Sequence, residues 1–240
     1  MHRTLKNAVI VLSLLGSSVT FADAFPKVDA DLAEYDSTVQ EMKNEFAKVP
    51  GDSSNKDWVK KKLQHIVDID QYMRNLSMSL PHDHQYTKAE QDYFFKEFLP
   101  RWQQLDGRNT ADLKTLLDIC SWFTISEWGR AADGNAWLLV QHADEDPEFQ
   151  KAILAKLESL YPSRETRPDH YAYLYDRVAI SAHDPTKRTL QRYGTQGRCV
   201  EPGKWEPFPI EDEANVDLRR AEVGLPPLAK YIAGFKDICR

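Results

Sequence analysis

The chain has 240 residues, enough for one large or two small domains, and its 42% hydrophobic content is typical of a soluble globular protein. The chain has 31 Lys and Arg residues and 37 Asp and Glu residues, which gives a net charge of -6. A protein of this charge lacks the broad positive field that nonspecific nucleic-acid binding requires. We therefore expect no nucleic-acid partner. Aromatic residues make up 11% of the chain, which excludes a disordered protein.

The first 24 residues have the pattern of a secretory signal peptide. Arg3 and Lys6 form a basic segment, residues 8–15 are apolar, and residues 22–24 (Ala-Asp-Ala) supply the small-x-small pattern of a cleavage site. The apolar run is well short of the roughly 20 residues that span a bilayer, so we expect cleavage rather than a membrane anchor. The mature protein, without a membrane span, is expected in the periplasm or outside the cell.

Apolar residues at three- and four-residue spacing predict a mainly α-helical, single-domain bundle over residues 25–240. A helical hairpin within residues 28–80 is expected to pack on the part of the chain from 87 to 240. Helices are predicted over residues 29–49, 56–80, 87–105, 112–121, 126–143, 147–160, 169–181, 213–223 and 227–235. Thr87 and Glu90 form a capping box, Pro100 is a candidate kink, and Asp146 is an N-cap before a proline.

Residues 189–210 are rich in Gly and Pro and have no helical period, which is typical of a short β-hairpin or an ordered loop. The chain has three cysteines, too few for a disulfide scaffold and too dispersed for a zinc motif. Cys120 lies in a helical apolar pattern and is expected to be a buried, unreactive thiol. In an oxidising compartment, Cys199 and Cys239 are then expected to form a disulfide bond.

The first candidate for chemistry is a carboxylate on a helix face that should be buried. Asp70 lies on the same stripe of the second helix as Leu63, Ile66 and Met73. Arg74 follows four residues later, within reach of an intrahelical ion pair. Two interpretations stay open: an ion pair at the edge of a core, or a polar pocket that Asp70 and Arg74 help to line.

The second candidate is the C-terminal end of the helix predicted over residues 126–143, which carries Gln141, His142 and, just beyond it, Asp144. A lone histidine in such a helix is more often a hydrogen-bonded core residue. A helix C-terminus and a neighbouring carboxylate both favour the protonated imidazole, which suits a general acid or base near neutral pH. No metal or cofactor is predicted, because His142 and Asp144 give at most two ligands and the Pro-His-Asp-His turn at residues 81–84 is typical of a solvated surface.

The third candidate combines a helix face with the segment that follows it. Tyr173, Asp176 and Arg177 are three and four residues apart and share a face. The next segment adds the donors Arg192, Tyr193, Thr195 and Gln196 around one glycine. This density of donors suits a small anionic ligand, since arginine matches the geometry of carboxylates and phosphates. The alternative is an Asp–Arg network that fixes an irregular loop to the helices.

Five segments together resemble an uncharacterised bacterial domain family whose members carry a Gln-His-Ala-Asp and a Tyr-Gly-Thr-Gln segment. In this sequence the segments are residues 70–74, 137–150, 172–177, 191–196 and 223–228. The resemblance covers roughly residues 66–233 and brings no established activity. It implies that the five segments belong to one domain and one site.

The expected function is that of a hydrolase or lyase acting on a small anionic substrate. His142 would be the general acid/base, oriented by Asp144 or Asp176. Arg177 and Arg192 would bind the substrate, and the residues positioning it would be Tyr193, Thr195 and Gln196. Asp70, Arg74 and Gln141 are also expected to line the substrate-binding site. None of the common nucleophile-elbow, zinc-protease or phosphate-loop motifs occurs. Two alternatives remain: a secreted domain that binds a small anion without converting it, and an envelope interaction protein, with a partner still unknown, in which the same residues are structural.

A geometric expectation follows from burial. An unpartnered charge on a buried helix face is very costly, so the charged residues should pair with one another or share a solvated cleft. The residues expected to converge on one concave polar site are Asp70, Arg74, His142, Asp144, Arg177, Arg192, Tyr193 and Gln196.

Overall fold

The computed structural model describes residues 25–182 and 185–239, so the predicted signal peptide lies outside the described residues. Three long helices come first: α1 (Pro26–Ala47), α2 (Lys56–Asp83) and α3 (Lys88–Cys120). The side chain of Asn55 caps α2, and the predicted capping box of Thr87 and Glu90 is present at the start of α3. The mainly α-helical fold class is confirmed.

The predicted break within α3 is wrong. One helix runs through both Pro100 and Gly107, where two helices, 87–105 and 112–121, were expected. A proline inside a helix costs about 3 kcal/mol and a glycine about 1 kcal/mol relative to alanine. Burial offsets these costs, because Phe98 and Leu113, on either side of the two positions, are almost completely buried.

Four shorter helices follow: α4 (Ile125–Trp128), α5 (Arg130–Gln141), α6 (Pro147–Leu160) and α7 (Pro168–Ile180). Of these, α5 packs against α2 and α3, and the other three pack against α5. The helix predicted over residues 126–143 is in fact two, because Gly129 has φ 86°, a left-handed conformation that glycine adopts without strain. Helix α5 is central and contacts α2, α3, α6 and α7. The predicted N-cap of α6 is confirmed, since Asp146 accepts a hydrogen bond from the backbone N–H of Phe149 at 3.1 Å.

Two clusters of buried residues follow one another along α2 and α3. The first joins α1 to the middle and end of α2 and the first half of α3, through residues such as Leu32, Met73 and Phe98. The second joins the start of α2 and the end of α3 to α5, α6 and α7, through residues such as Leu63 and Leu139. Because α2 and α3 run through both clusters, the carboxylates on these two helices can have neighbours from α1 as well as from α5, α6 and α7. No helix in the described part of the chain has the length and apolar character of a membrane span.

The C-terminal part holds a short antiparallel hairpin, β1 (Gly197–Glu201) and β2 (Lys204–Pro207), followed by α8 (Val216–Glu222) and α9 (Leu228–Ala233). The hairpin is shorter than the 189–210 segment in which it was predicted. The rest of that segment is an ordered loop, in which the Gln191 side chain donates to the carbonyls of Gln196 and Phe208 at 2.9 and 2.8 Å. Trp205 of β2 stacks on Phe235, just beyond α9, with ring centroids 4.5 Å apart.

The predicted cysteine pairing is confirmed. Cys199 in β1 and Cys239 beyond α9 form a disulfide bond, with Cα atoms 5.4 Å apart and a sequence separation of 40. Cys120 is free and only partly buried, and burial raises the pKa of its thiol to about 11, which makes it a poor nucleophile.

We expect the double variant Cys199→Ser/Cys239→Ser to be about 3 to 4 kcal/mol less stable than the wild type, because the bridge restricts the unfolded chain. Urea unfolding of oxidised protein measures this difference. The control is Cys120→Ser, which removes a thiol outside the bridge and should cost about 1 kcal/mol or less. Equal stability of the double variant and the control would contradict the assignment of the bridge as stabilising.

Candidate functional site

The centre of the candidate site is a histidine paired with a buried carboxylate. His142 follows the last residue of α5, and its Nδ1 lies 3.0 Å from both carboxylate oxygens of Asp70 on α2. Asp70 is 0% exposed, whereas 17% of the His142 side chain is exposed. Burial alone would raise the pKa of Asp70, but the hydrogen bond and charge of His142 and the charge of Arg74 hold it below its ordinary value.

This geometry fixes the roles of the two ring nitrogens of His142. An ionised carboxylate only accepts hydrogen bonds, so Nδ1 carries the proton and donates it to Asp70. Within the described residues, the other nitrogen, Nε2, has no hydrogen-bond partner. The ring is therefore held by a buried acceptor at one nitrogen while the other is available for proton transfer. Asp70 holds the position that the sequence analysis assigned to Asp144 or Asp176.

Asp70 also connects the histidine, through Arg74, to a second carboxylate that is partly buried. Arg74 donates from Nε to the two oxygens of Asp70 at 3.2 and 3.3 Å and from Nη2 to Asp106 of α3 at 2.7 Å. The guanidinium lies over the ring of Trp102, 4.7 Å from its centroid, and the Trp102 indole donates to Asp106 at 2.8 Å. Gln71 completes the set by donating to Asp70 at 2.8 Å. The ion pair expected between Asp70 and Arg74 is confirmed, and it is part of a larger network.

A second network lies on the other side of the end of α5. Arg177 of α7 donates from Nε to Gln141 at 3.1 Å and from Nη1 to both oxygens of Asp144 at 2.9 and 3.0 Å. Gln150 of α6 donates to the carbonyl of Val140 at 3.0 Å and to Asp144 at 3.2 Å. Two buried amide atoms here, Nε2 of Gln141 and Oε1 of Gln150, have no partner among the described residues. Unsatisfied donors and acceptors of this kind occur near functional sites.

A third network fixes the loop that follows α7. Asp176 is completely buried, and it accepts hydrogen bonds from the backbone N–H groups of Arg192, Tyr193 and Thr195 at 2.8, 3.0 and 2.8 Å. Burial raises the pKa of this carboxyl above its ordinary value, although the three amides act in the opposite direction. Both oxygens of Asp176 are thus engaged with the backbone. This arrangement matches the structural alternative for these residues, in which an aspartate fixes an irregular loop to a helix.

The donors in this loop are themselves held by neighbouring side chains. Arg219 donates from Nε to the carbonyl of Arg192 at 2.9 Å, and Arg220 donates from Nη1 to that of Tyr193 at 2.6 Å. Burial raises the pKa of the Tyr193 phenol to about 12, so it stays protonated at neutral pH. Gln196 donates from its side chain to the Thr195 hydroxyl at 3.3 Å.

The structure therefore arranges the residues expected to share one site in three networks. Asp70, Arg74 and His142 form the first, Asp144 and Arg177 belong to the second, and Arg192, Tyr193 and Gln196 to the third. Neighbours in sequence connect them: Gln141 and His142 join the first two, and Asp176 and Arg177 the last two. Among the described residues, no hydrogen bond or ion pair crosses between the networks, so a single shared cleft stays a prediction.

Three residues of these networks, Trp102, Asp106 and Arg220, were not predicted from the sequence. Asp106 was missed because the predicted helix ended at Leu105, and Trp102 was missed because its partner lay beyond that end. In the structure α3 continues and places Asp106 four residues after Trp102 on one face. Arg220 was missed although it is completely buried. A signal was present at this position, because Arg219 and Arg220 are adjacent on a short helix whose apolar face begins at Val216.

A second histidine–aspartate pair provides a comparison within the same chain. His170 of α7 lies with Nδ1 3.0 Å from Asp133 of α5, but only 4% of the His170 side chain and none of the Asp133 side chain is exposed. His170 stacks on Trp137, with ring centroids 4.2 Å apart. This pair is almost completely buried and belongs to the core, whereas 17% of the His142 side chain is exposed. In the described part of the chain, no group of three or more His, Cys, Asp or Glu side chains is placed to hold a metal ion.

The fold and the site define a mainly α-helical protein with a partly exposed histidine held by a buried aspartate. A family model described as a family of unknown function (DUF6624) matches residues 62–239, and the chain belongs to this family. The matched region includes all three networks and the disulfide bond. Searches of curated proteins and of solved structures found no match.

Proposed function

We propose that this protein is a periplasmic or secreted hydrolase or lyase that acts on a small anionic substrate, with His142 as its general acid/base. The observation that carries the proposal is the pair of contacts from Nδ1 of His142 to Asp70, a fully buried carboxylate, on a ring that is itself partly exposed. A neutral ring in this arrangement accepts a proton at Nε2, and the carboxylate then stabilises the imidazolium.

The arginine of the second network is the proposed binding group for the anion. The Arg177 side chain is 27% exposed, and the Asp144 side chain that holds it is 60% exposed. An exposed ion pair of this kind contributes little to stability, so an anionic substrate competes with Asp144 at small cost. Arg192, with Tyr193, Thr195 and Gln196 beside it, is the second proposed binding element, and its guanidinium lies over the Tyr175 ring, 5.9 Å from the centroid.

The proposed compartment is supported by two features of the chain. Residues 1–24 have the composition of a signal peptide, and Cys199 and Cys239 are placed for a disulfide bond. A disulfide bond of this kind persists in an oxidising environment, which agrees with export.

The test compares the consumption of substrates by matched histidine variants. Wild-type protein is incubated with a mixture of small carboxylic and phosphoric esters and hydroxy acids, and their loss is followed by mass spectrometry. We expect His142→Gln to slow consumption by about 100-fold or more, the usual contribution of a general acid/base. The control is His84→Gln, because Nδ1 of His84 also lies beside an aspartate, Asp31, at 2.8 Å, far along the chain from His142.

The results distinguish the proposal from its alternative. Consumption by the wild type and by His84→Gln, but not by His142→Gln, supports the enzyme. No consumption by any protein, or equal consumption by all three, contradicts it. Thermal unfolding of each variant shows that the comparison is made on folded protein.

A non-catalytic binding or interaction domain of the cell envelope is the second candidate. The observation that favours it is that Arg74 and Arg177 already have carboxylate partners within the chain, as expected for structural networks. If the protein is a binding domain, compounds in the same mixture raise its melting temperature without being consumed. If it is an interaction domain, no compound has any effect and His142→Gln only lowers stability.

A further inference from the structure

A separate cavity of about 350 Å³ lies between α1, α2 and α3. Its polar lining includes Lys43 of α1, Lys62 and His65 of α2, and Arg108 and Asn109 of α3. Its apolar lining is supplied by Ile66, Ile69 and Leu105. An adjoining cleft of about 200 Å³ shares Lys43, Leu105 and Arg108 with it. Within the described part of the chain, no side chain lining the cavity makes a hydrogen bond or ion pair with a side chain of the networks around His142 and Arg177.

The cavity and cleft carry an excess of positive charge in a chain whose net charge is -6. Their two carboxylates are already paired: Asp112 with Lys62 at 2.9 Å, and Asp36 with Arg101 at 3.1 Å. The side chains of Lys43, which is partly buried, and Arg108, which is exposed, form no ion pair or hydrogen bond with any described residue. Burial and the charge of Arg108 lower the pKa of Lys43, while the charge of Asp112 acts in the opposite direction; this is the direction expected where two cations lie near each other. An anion between them would relieve this repulsion.

An independent observation concerns Asn109. This residue lines the cavity and is only 7% exposed, yet its side-chain nitrogen has no hydrogen-bond partner among the described residues. A buried donor without a partner is costly, so it favours a ligand that offers an acceptor. The unpaired donor and the two unpaired cations thus line the same cavity.

We propose that this cavity binds a small organic anion whose carboxylate or phosphate group contacts Lys43, Arg108 and the amide nitrogen of Asn109. The apolar part of the ligand packs on Ile66, Ile69 and Leu105. The volume lies in the usual range for small-molecule sites, which combine an apolar lining with a few polar groups. This site is distinct from the one proposed around His142 and does not rest on that proposal.

The test measures binding of three probes of similar length: hexanoate, butyl phosphate and the neutral hexanol. We use isothermal titration calorimetry on the folded, oxidised protein. We expect one or both anions to bind and hexanol to bind much more weakly, and the comparison of the two anions identifies the preferred group. The variant Lys43→Gln/Arg108→Gln is expected to weaken anion binding by about 100-fold, roughly tenfold for each charge-assisted contact.

The matched control is Lys48→Gln/Arg130→Gln, which changes the net charge equally at two exposed positions outside the cavity. We expect it to bind the anions as the wild type does. Asn109→Leu keeps both cations and should weaken binding several-fold. His142→Gln should leave this binding unchanged, so failure of the proposed activity and failure of this site are distinguishable.

Three outcomes would overturn the proposal. The first is no binding of either anion at millimolar concentration. The second is equal weakening in the cavity variant and the control, which indicates general electrostatic attraction. The third is binding of hexanol as tight as that of the anions, which indicates an apolar cavity alone.

Discussion

Asp176→Ala is expected to lower the free energy of unfolding by about 4 to 6 kcal/mol. The substitution leaves the backbone N–H groups of Arg192, Tyr193 and Thr195 without their acceptor in a buried place. Each unsatisfied buried group costs about 1 to 3 kcal/mol. The loop that carries the proposed binding residues would therefore lose its attachment to α7.

Urea unfolding at neutral pH measures this effect, and two variants serve as comparisons. Asp176→Asn keeps one acceptor oxygen and should cost about half as much. Asp144→Ala removes a carboxylate whose side chain is 60% exposed, and it should cost about 1 kcal/mol or less. A loss of stability for Asp176→Ala no larger than that for Asp144→Ala would show that the loop does not depend on Asp176.

The helical architecture was predictable because its signals are local. The capping residues at Thr87 and Asp146 and the apolar periodicity locate most helices to within a few residues. The continuity of α3 was not predictable in this way, because Pro100 and Gly107 oppose it locally and only burial against distant helices favours it. The break at Gly129 had a local signal, a glycine within an apolar pattern, but its positive φ depends on how α4 and α5 pack.

The sequence predicted which residues belong to the site better than it predicted the contacts between them. Asp70, Arg74 and His142 could be recognised because they are polar residues on helix faces that are otherwise apolar. The partner of His142 could not be deduced, because Asp70 is 72 positions away and three carboxylates were available. The direction of each side chain decides the pairing: Gln141 faces α7, whereas His142, just beyond the end of α5, faces α2. Such directions are set by helix packing, which a single sequence does not encode locally.

Asp70→Asn is expected to destabilise the protein by about 3 to 5 kcal/mol at neutral pH, the usual cost of breaking a buried charge network. The amide group of asparagine would place a donor against His142 or Arg74, which are themselves donors. Arg74 would keep only Asp106 as a charged partner. The control is Asp68→Asn on the same helix, an exposed carboxylate that accepts from Gln64 at 2.7 Å, and its effect should stay within about 0.5 kcal/mol.

The effect of Asp70→Asn should also depend on pH, with a sign that the structure determines. The pKa of Asp70 is lower in the folded protein than its ordinary value of 3.8, so its stabilising contribution is fully present above that value. As the pH falls through the lowered pKa, the folded wild type takes up a proton at Asp70 and loses this contribution, whereas the asparagine variant has none to lose. Urea unfolding from neutral pH to about pH 3 should therefore show the difference between wild type and Asp70→Asn shrinking at the acid end. A difference that stays constant with pH, or one as small as that for Asp68→Asn, would show that the Asp70 carboxylate is not held in its ionised form by His142 and Arg74.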